Sequence, residues 1–319
     1  MNGSPMPGSI DLLIYGSGAL ACLFAFRLAR AGQRVGILDH WEEGVRAIQA
    51  KGICQQTGDL AVSCQPVPAT SSAQDLSNVP AAIVLVKSWQ TAQAAADLAA
   101  CLAPSARVLT LQNGLGNAEI LAGALGAERV AAGSTTSGAT LLAPGCFRPG
   151  GEGNLTLPAS FESTRLCAAL RAAGFQLAFT QQLTGLLWGK LLINAAINPL
   201  TALLEVPNGQ ILELPHARRL LAMAVEEAAQ AARAAAVELP YTDPLAEVES
   251  VLRRTATNQS SMLQDIRRGA PTEIDAITGA LLHSARQNQL WLPTHETLYH
   301  LVRAKVDAGR LADTLPNHA

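Results

Sequence analysis

Four short apolar runs recur through the first 112 residues: IDLLIY (10–15), RVGIL (34–38), AAIVLV (81–86) and RVLTLQ (107–112). Each is continuous rather than alternating, which is the pattern of a strand covered on both faces, and Ala/Leu-rich stretches of helical length separate them. Strands alternating with helices in this way predict an α/β fold with a doubly wound parallel sheet. Residues 134–157, STTSGATLLAPGCFRPGGEGNLTL, are rich in Thr and Gly with short alternating runs, so further strands and turns are expected to close this first domain. From about residue 180 the pattern changes to long Ala/Leu/Glu/Arg segments such as ARRLLAMAVEEAAQAARAAAV (217–237), with helical periodicity and few strand signals. The boundary is expected in FTQQLTG (179–185), giving a sheet domain over 1–180 and a mostly α-helical domain over 181–319, with a ligand cleft between them.

Composition narrows the class without naming it. With 319 residues, 49% of them hydrophobic and 15% charged, the chain can bury a substantial core, which excludes a disordered protein. The net charge of -2 leaves no electrostatic footprint for nucleic acid, and Arg218-Arg219, Arg253-Arg254 and Arg267-Arg268 are isolated doublets on solvated helix faces. MNGSPMPGSI lacks a basic region followed by an apolar stretch, and no uninterrupted apolar run approaches the roughly 20 residues that span a bilayer. A soluble cytoplasmic protein with no membrane partner is therefore expected. Six cysteines (Cys22, Cys54, Cys64, Cys101, Cys146, Cys167) lie far apart with no C-x-x-C pair, so neither a zinc site nor a disulfide framework is expected, only reduced structural thiols. Alanine-rich helices pack equally well within a chain or between chains, so a homo-oligomer stays open.

Directly after the first apolar run comes GSGALA, residues Gly16, Ser17, Gly18, Ala19, Leu20 and Ala21, followed by the helical CLFAFRLARAG. Gly16, Gly18 and Ala21 fit G-x-G-x-x-G/A, and the strand before and helix after supply the context that gives this weak motif meaning. Gly16 permits the tight turn, Gly18 lets the backbone approach a pyrophosphate, and the helix N-terminus offers N–H groups and a positive dipole end. The pattern predicts the cofactor loop of a Rossmann-type dinucleotide-binding domain, the alternative being a glycine turn in an unrelated α/β protein. The second strand ends in ILDHWEEG, which places Asp39 where such domains recognise the adenosine ribose. A carboxylate there accepts hydrogen bonds from ribose hydroxyls and repels a 2′-phosphate, which favours NADH; His40 or Arg46 could instead meet a phosphate, and Asp39 could simply cap the next helix. Lys87 in VKSWQ and Asn113 in LQNGLG follow two further strands at their carboxyl ends, where open sheets bind ligands, although Asn113 could instead be the turn residue of its Asn-Gly pair.

The second half carries two polar patterns. WGKLLINAAINPL (188–200) places Lys190, Asn194 and Asn198 four residues apart, on one stripe of an otherwise apolar helix. The stripe is either a solvent-exposed polar face or a buried one whose groups need partners, a bound ligand among them. In TNQSSMLQDIRRGAPTEIDAI (257–277), Asn258, Ser261 and Asp265 are expected on one helical face, and a new helix is expected to start after Pro271, close to Glu273.

In this order and spacing GSGALA, VKSWQ, LQNGLG, GKLLINAAINPLTALLEVPNG and NQSSMLQDIRRGAPTEID closely resemble the ketopantoate reductase (2-dehydropantoate 2-reductase) family, over about residues 10–308. The resemblance implies an N-terminal Rossmann domain and a helical C-terminal domain like that of 6-phosphogluconate dehydrogenase. It also implies reduction of 2-dehydropantoate to (R)-pantoate on the way to pantothenate and coenzyme A. Carried over by position, it makes Lys190 the general acid and Glu273 a carboxylate at the meeting of cofactor and substrate. Asn194, Asn198, Asn208, Asn258 and Ser261 become substrate-binding residues, with Asn113 and Lys190 beside them. On the cofactor side stand the glycine loop, Asp39, Lys87, Asn113, a backbone contact at Ala139, and Glu273. The family commonly uses NADPH, often with a basic residue near the end of the second strand, whereas this chain has Asp39-His40, so NADPH and NADH both remain open. The partner is then a small-molecule 2-keto acid, with no metal. Two other readings stand beside it: a related reductase of another branched 2-keto acid, and a dinucleotide-sensing protein without catalysis.

Overall fold

A computed structural model describes residues 9–58 and 61–314; the MNGSPMPG segment lies outside them. Two units form. The first runs to Gln112 and resumes from Gly116 to Leu183, and the second comprises Asn113–Leu115 and the chain from Thr184 onward.

In the first unit the apolar runs become strands. The elements are β1 (Leu12–Tyr15), α1 (Ala19–Arg30), β2 (Val35–Leu38), α2 (Glu42–Lys51), β3 (Ile53–Thr57), β4 (Ala61–Gln65), β5 (Ala69–Thr70), β6 (Val79–Val84), α3 (Thr91–Cys101) and β7 (Leu102–Thr110). After the short excursion 113–115 come α4 (Asn117–Leu125), β8 (Val130–Ala132), β9 (Ser134–Thr135), β10 (Ala139–Ala143), β11 (Cys146–Pro149), β12 (Asn154–Pro158), α5 (Arg165–Ala172) and β13 (Gln176–Thr180). Six strands pair in parallel in the order β5-β2-β1-β6-β7-β8. β1 and β2 are buried at every position, which is why their sequences run apolar without alternation. The expected doubly wound sheet is thus present.

Helix α1 lies between this sheet and a smaller one ordered β10-β11-β3-β4. Phe24 and Phe26 are both fully buried on it: Phe24 stacks on Phe175 with centroids 4.3 Å apart, and Phe26 meets Phe147 edge-on at 5.7 Å. α1 closes with Gly32 N–H donating to Ala29 O and Gln33 N–H to Leu28 O, the paired bonds that satisfy the last carbonyls of a helix.

One expectation fails here. Cys54 and Cys64 sit opposite each other on β3 and β4 and are joined as a disulfide, while Cys22, Cys101, Cys146 and Cys167 are free. Separation along the chain does not reveal the pairing, because opposition across a hairpin depends on register.

The second unit is helical: α6 (Leu183–Leu204), α7 (Gln210–Glu213), α8 (Pro215–Ala234), α9 (Pro244–Arg254), α10 (Ser261–Arg267), a π-helical turn (Asp275–Gly279), α11 (Ala280–Gln287) and α12 (Pro293–Thr314). The alanines of α8 explain themselves by packing: Ala217, Ala224, Ala228, Ala229, Ala231 and Ala232 are all buried, so small side chains here admit close neighbours. Helix α6 is long and apolar enough to cross a membrane by length and composition, but most of it is buried in the core of this unit. One local expectation needs correction. Asn258 lies before α10 rather than on it, in the turn that Ser260 ends by capping the helix, so only Ser261 and Asp265 share a helix. The helix expected after Pro271 does form there, beginning at Ile274, just past Glu273.

Candidate functional site

The glycine loop turns between β1 and α1. Gly16 has φ +121°, a conformation L side chains avoid, and a Cβ there would sit 3.0 Å from Val86 Cγ1. Gly18 opens α1 with no side-chain cap, no acidic residue follows in the first turn, and a Cβ added at Gly18 would meet no protein atom within 4 Å. An uncapped N-terminus with clear space before it is what a pyrophosphate needs, so the loop fits a dinucleotide. Ala19 and Leu20 are half-buried, while Ser17 and Ala21 are buried.

Asp39 ties this loop to the end of β2. It is only 5% exposed, and its Oδ2 accepts from Ser17 N–H at 2.6 Å and from the Ser17 hydroxyl at 2.5 Å. Its Oδ1 accepts from Trp41 N–H at 3.2 Å, so the carboxylate also braces the entry to α2, although the residue flanking that helix is Trp41 itself. The two basic neighbours that could meet a phosphate are engaged elsewhere. Arg46 pairs with Glu42 one turn back, and His40 Nε2 lies 2.7 Å from Asp97 Oδ2. Tyr15 Oη donates to the same Asp97 oxygen at 2.5 Å, and Gln93 to the other at 3.0 Å. Desolvation acts to raise the Asp97 pKa, yet hydrogen bonds from Tyr15, His40 and Gln93 hold it below its usual value. Burial foremost, then the bond to Asp97, pushes the Tyr15 phenol up.

Lys87 lies just past β6, half-buried, directly before a 3₁₀ turn (Ser88–Gln90). Ala139 is the first residue of β10, paired with Pro149. A network that the sequence did not advertise fixes the carboxyl ends of β6 and β7: Gln112 Nε2 donates to Val86 O at 3.0 Å and to Thr91 Oγ1 at 2.8 Å, and Thr91 Oγ1 lies 2.8 Å from Asn117 Oδ1. Asn117, three residues past the Asn-Gly pair, was the one available clue.

In the second unit the stripe on α6 is confirmed as a helix face. Asn198 is buried, and Lys190 and Asn194 are half-buried among neighbours that are mostly fully buried. Burial pushes the Lys190 ammonium down to about 8, and the Glu273 carboxylate works against that shift. Glu273 is itself 5% exposed, and its Oε2 accepts from Asn113 Nδ2 at 3.3 Å. The backbone after Asn113 is pinned to the π-helical turn: Leu115 N–H donates to Ala276 O at 3.2 Å, and a Cβ on Gly114 (φ +85°) would come within 2.2 Å of that same oxygen. The structure therefore brings Lys190, Glu273 and Asn113 into one electrostatic and hydrogen-bonded group.

Asn208 does not cap α7 with its side chain. Its Nδ2 donates to Thr255 Oγ1 at 2.9 Å and its N–H to Asn258 O at 2.9 Å, leaving Oδ1 buried and without a partner. Asn258 and Ser261 are exposed. Two residues missed in the sequence bind these segments together: the buried Thr201 hydroxyl lies 2.7 Å from Ser260 Oγ, which in turn accepts from Leu263 N–H at 3.1 Å. Asp265 is buried and faces Arg268 at 3.4 Å. Among the described residues no group of three or more His, Cys, Asp or Glu is placed to hold a metal ion.

Residues 12–160 match the family model described as "Ketopantoate reductase PanE/ApbA", and residues 182–306 match "Ketopantoate reductase PanE/ApbA C terminal". The chain is 34% identical over 299 residues to the 2-dehydropantoate 2-reductase of Halobacterium salinarum, spanning 92% of this chain and 97% of that one. It is 32% identical over 307 residues to the enzyme of the same name from Archaeoglobus fulgidus, spanning 93% and 97%. Among solved structures it is similar to a PanE/ApbA family ketopantoate reductase from Ralstonia eutropha JMP134, with TM-score 0.87 and 30% identity over 94% of this chain and 99% of that one. It is also similar to D-mandelate dehydrogenase with NADH and anilino(oxo)acetate, with TM-score 0.87 and 25% identity over the same shares.

The depressed Lys190 pKa carries a stability signature. Between pH 8 and 10.5 the folded chain has released this proton while the unfolded chain, at the ordinary value of 10.5, still holds it. The unfolded state then binds more protons, so stability rises with pH across that window and the penalty of burying the ammonium is fully present below pH 8. Denaturant unfolding of wild type and Lys190→Met is expected to show the variant more stable below pH 8, by about 1–3 kcal/mol after allowance for partial solvent screening, and the gap closing towards pH 10.5. A gap that is flat in pH would contradict a low Lys190 pKa.

Proposed function

The chain belongs to the ketopantoate reductase family, and from that premise we propose that it reduces 2-dehydropantoate to (R)-pantoate, in the route to pantothenate and coenzyme A, with NADH as the preferred cofactor. One observation carries the reading: a lysine held near pKa 8 shares a helix face with two amides and lies under the influence of a buried glutamate. Such a lysine gives up a proton near neutral pH far more readily than one in water.

The dihydronicotinamide, when bound, supplies the hydride. The residues of this chain do the rest. As the C2 carbonyl is reduced, negative charge grows on its oxygen; the Lys190 ammonium stabilises that charge and delivers the proton. Glu273 keeps enough of the lysine protonated for this despite desolvation, and Asn113 holds Glu273 through its amide. Asn194 and Asn198, one and two turns along α6, anchor the keto acid without adding buried charge. Asn208 offers its unpartnered Oδ1 to a substrate hydroxyl, and the exposed Asn258 and Ser261 bind the carboxylate end. On the cofactor side the glycine loop takes the pyrophosphate, Asp39 the ribose, and Lys87 and Ala139 the nicotinamide end. The preference for NADH rests on Asp39, whose carboxyl is hydrogen-bonded to the loop at Ser17, and on His40 and Arg46, whose side chains already face Asp97 and Glu42.

The test is a steady-state assay of 2-dehydropantoate with NADH and NADPH in parallel. Turnover is expected with both, with the larger kcat/KM for NADH; no turnover from protein that binds dinucleotide would redirect the proposal to another 2-keto acid. For the reductive direction kcat/KM is expected to fall as pH rises past about 8, where Lys190 loses the proton it must donate. Lys190→Ala is expected to lower kcat by about 10²- to 10⁴-fold with cofactor binding intact, and near-normal turnover would remove it from the mechanism. Asp39→Ala is expected to relax discrimination against NADPH by about tenfold or more, because a like charge beside the 2′-phosphate costs a few kcal/mol. An unchanged NADH/NADPH ratio would reduce Asp39 to a brace for the loop.

A further inference from the structure

Three cysteines form one row across three neighbouring strands. In the sheet ordered β10-β11-β3-β4, Cys146 of β11 is in register with Cys54 of β3, and Cys54 with Cys64 of β4. Residues in register across a sheet project from the same face, so the three sulfurs share one face. Cys54 N–H donates to Gly145 O at 2.8 Å, so its backbone N–H is directed to β11. Its position opposite Cys64 is then the non-hydrogen-bonded kind, in which paired side chains come closest. Cys54 and Cys64 form the disulfide and Cys146 is a free thiol. Exposure is graded along the row: Cys54 is buried, Cys146 half-buried, and Cys64 exposed on the edge strand.

We propose that this row is a thiol–disulfide exchange site, with Cys146 as the internal nucleophile and Cys64 as the thiol it releases to solvent. Exchange proceeds by attack of a thiolate on one sulfur of a disulfide with departure of the other. Here the central sulfur of the row is the electrophile, with the nucleophile on one side and the leaving group on the other. Cys146 loses its proton to solvent and attacks Cys54 Sγ. The Cys54–Cys64 bond breaks as Cys54–Cys146 forms, and Cys64 leaves with the electron pair and takes a proton from solvent. Nothing is oxidised or reduced overall, so no further reagent is needed. The product presents a free thiol at an exposed sheet edge, where low-molecular-weight thiols and disulfides of the glutathione class can reach it. The site is independent of the reductase reading.

Trypsin distinguishes the two disulfides. No Lys or Arg falls between Lys51 and Lys87, so Cys54 and Cys64 share the peptide 52–87. Arg148 precedes Pro149 and resists cleavage, so Cys146 lies in the peptide 130–165, which contains no other cysteine. The full-length protein is to be oxidised with glutathione disulfide, incubated with trace glutathione, quenched in acid, alkylated and digested without reduction. Mass spectrometry is expected to find 52–87 both internally closed and cross-linked to 130–165. The cross-linked pair should vanish in Cys146→Ser and become the sole disulfide form of 52–87 in Cys64→Ser. Absence of the pair from either wild type or Cys64→Ser overturns the proposal, as does failure of Cys54 and Cys64 to close under these conditions.

Discussion

A cation placed inside an apolar helix is the constraint on which the second unit depends. Lys190 sits among Leu191, Leu192, Ala195 and Ala196, all buried, and an ammonium in such surroundings loses hydration that its neighbours must replace. Glu273 supplies the compensating charge, and much of the local architecture keeps Glu273 in place. The chain reaches it through a short non-helical stretch after Pro271, enters helix at Ile274, and passes at once into a π-helical turn. Asn113 and Leu115, carried on a three-residue excursion from the first unit's sequence, bond to Glu273 and to that turn. Such π turns are rare and concentrate at functional sites, and here the turn carries the carbonyl that fixes the Asn113 loop.

The first unit obeys a parallel rule with the opposite sign of charge. Asp39 is a buried carboxylate whose Oδ2 is held by two donors from Ser17, so the strand end and the glycine loop form one rigid piece. A loop whose N–H groups must meet a pyrophosphate gains from being fixed before the ligand arrives. Ser17 therefore serves the loop through its side chain as well as its backbone, which a motif that leaves this position free does not express.

Much of the fold was legible because its signals are local. Continuous apolar runs at 10–15, 34–38, 81–86 and 107–112 marked the parallel strands, since a strand buried on both faces has no alternation to blur. The Lys190-Asn194-Asn198 stripe was visible through its four-residue spacing alone. What escaped depends on register and long-range opposition. The β3–β4 hairpin and its Cys54–Cys64 link need the pairing of strands, and the Asn113–Glu273 bond joins residues 160 positions apart. Asn258 was expected on a helix because its sequence continues a helical spacing into α10, yet Ser260 caps that helix and sets its start after Asn258. Thr201 and Ser260 lie 59 positions apart, and only their 2.7 Å contact shows that they fasten α6 to the start of α10.

The account turns on the protonation of one lysine, and that can be measured directly. Lysine side chains labelled with ¹³C at Cε, titrated by NMR with Lys190→Met to assign the resonance, report the Lys190 pKa in the folded protein. A midpoint near 8 is the expected result. A midpoint at the ordinary value of 10.5 would contradict both its burial beside Glu273 and its role as the proton donor.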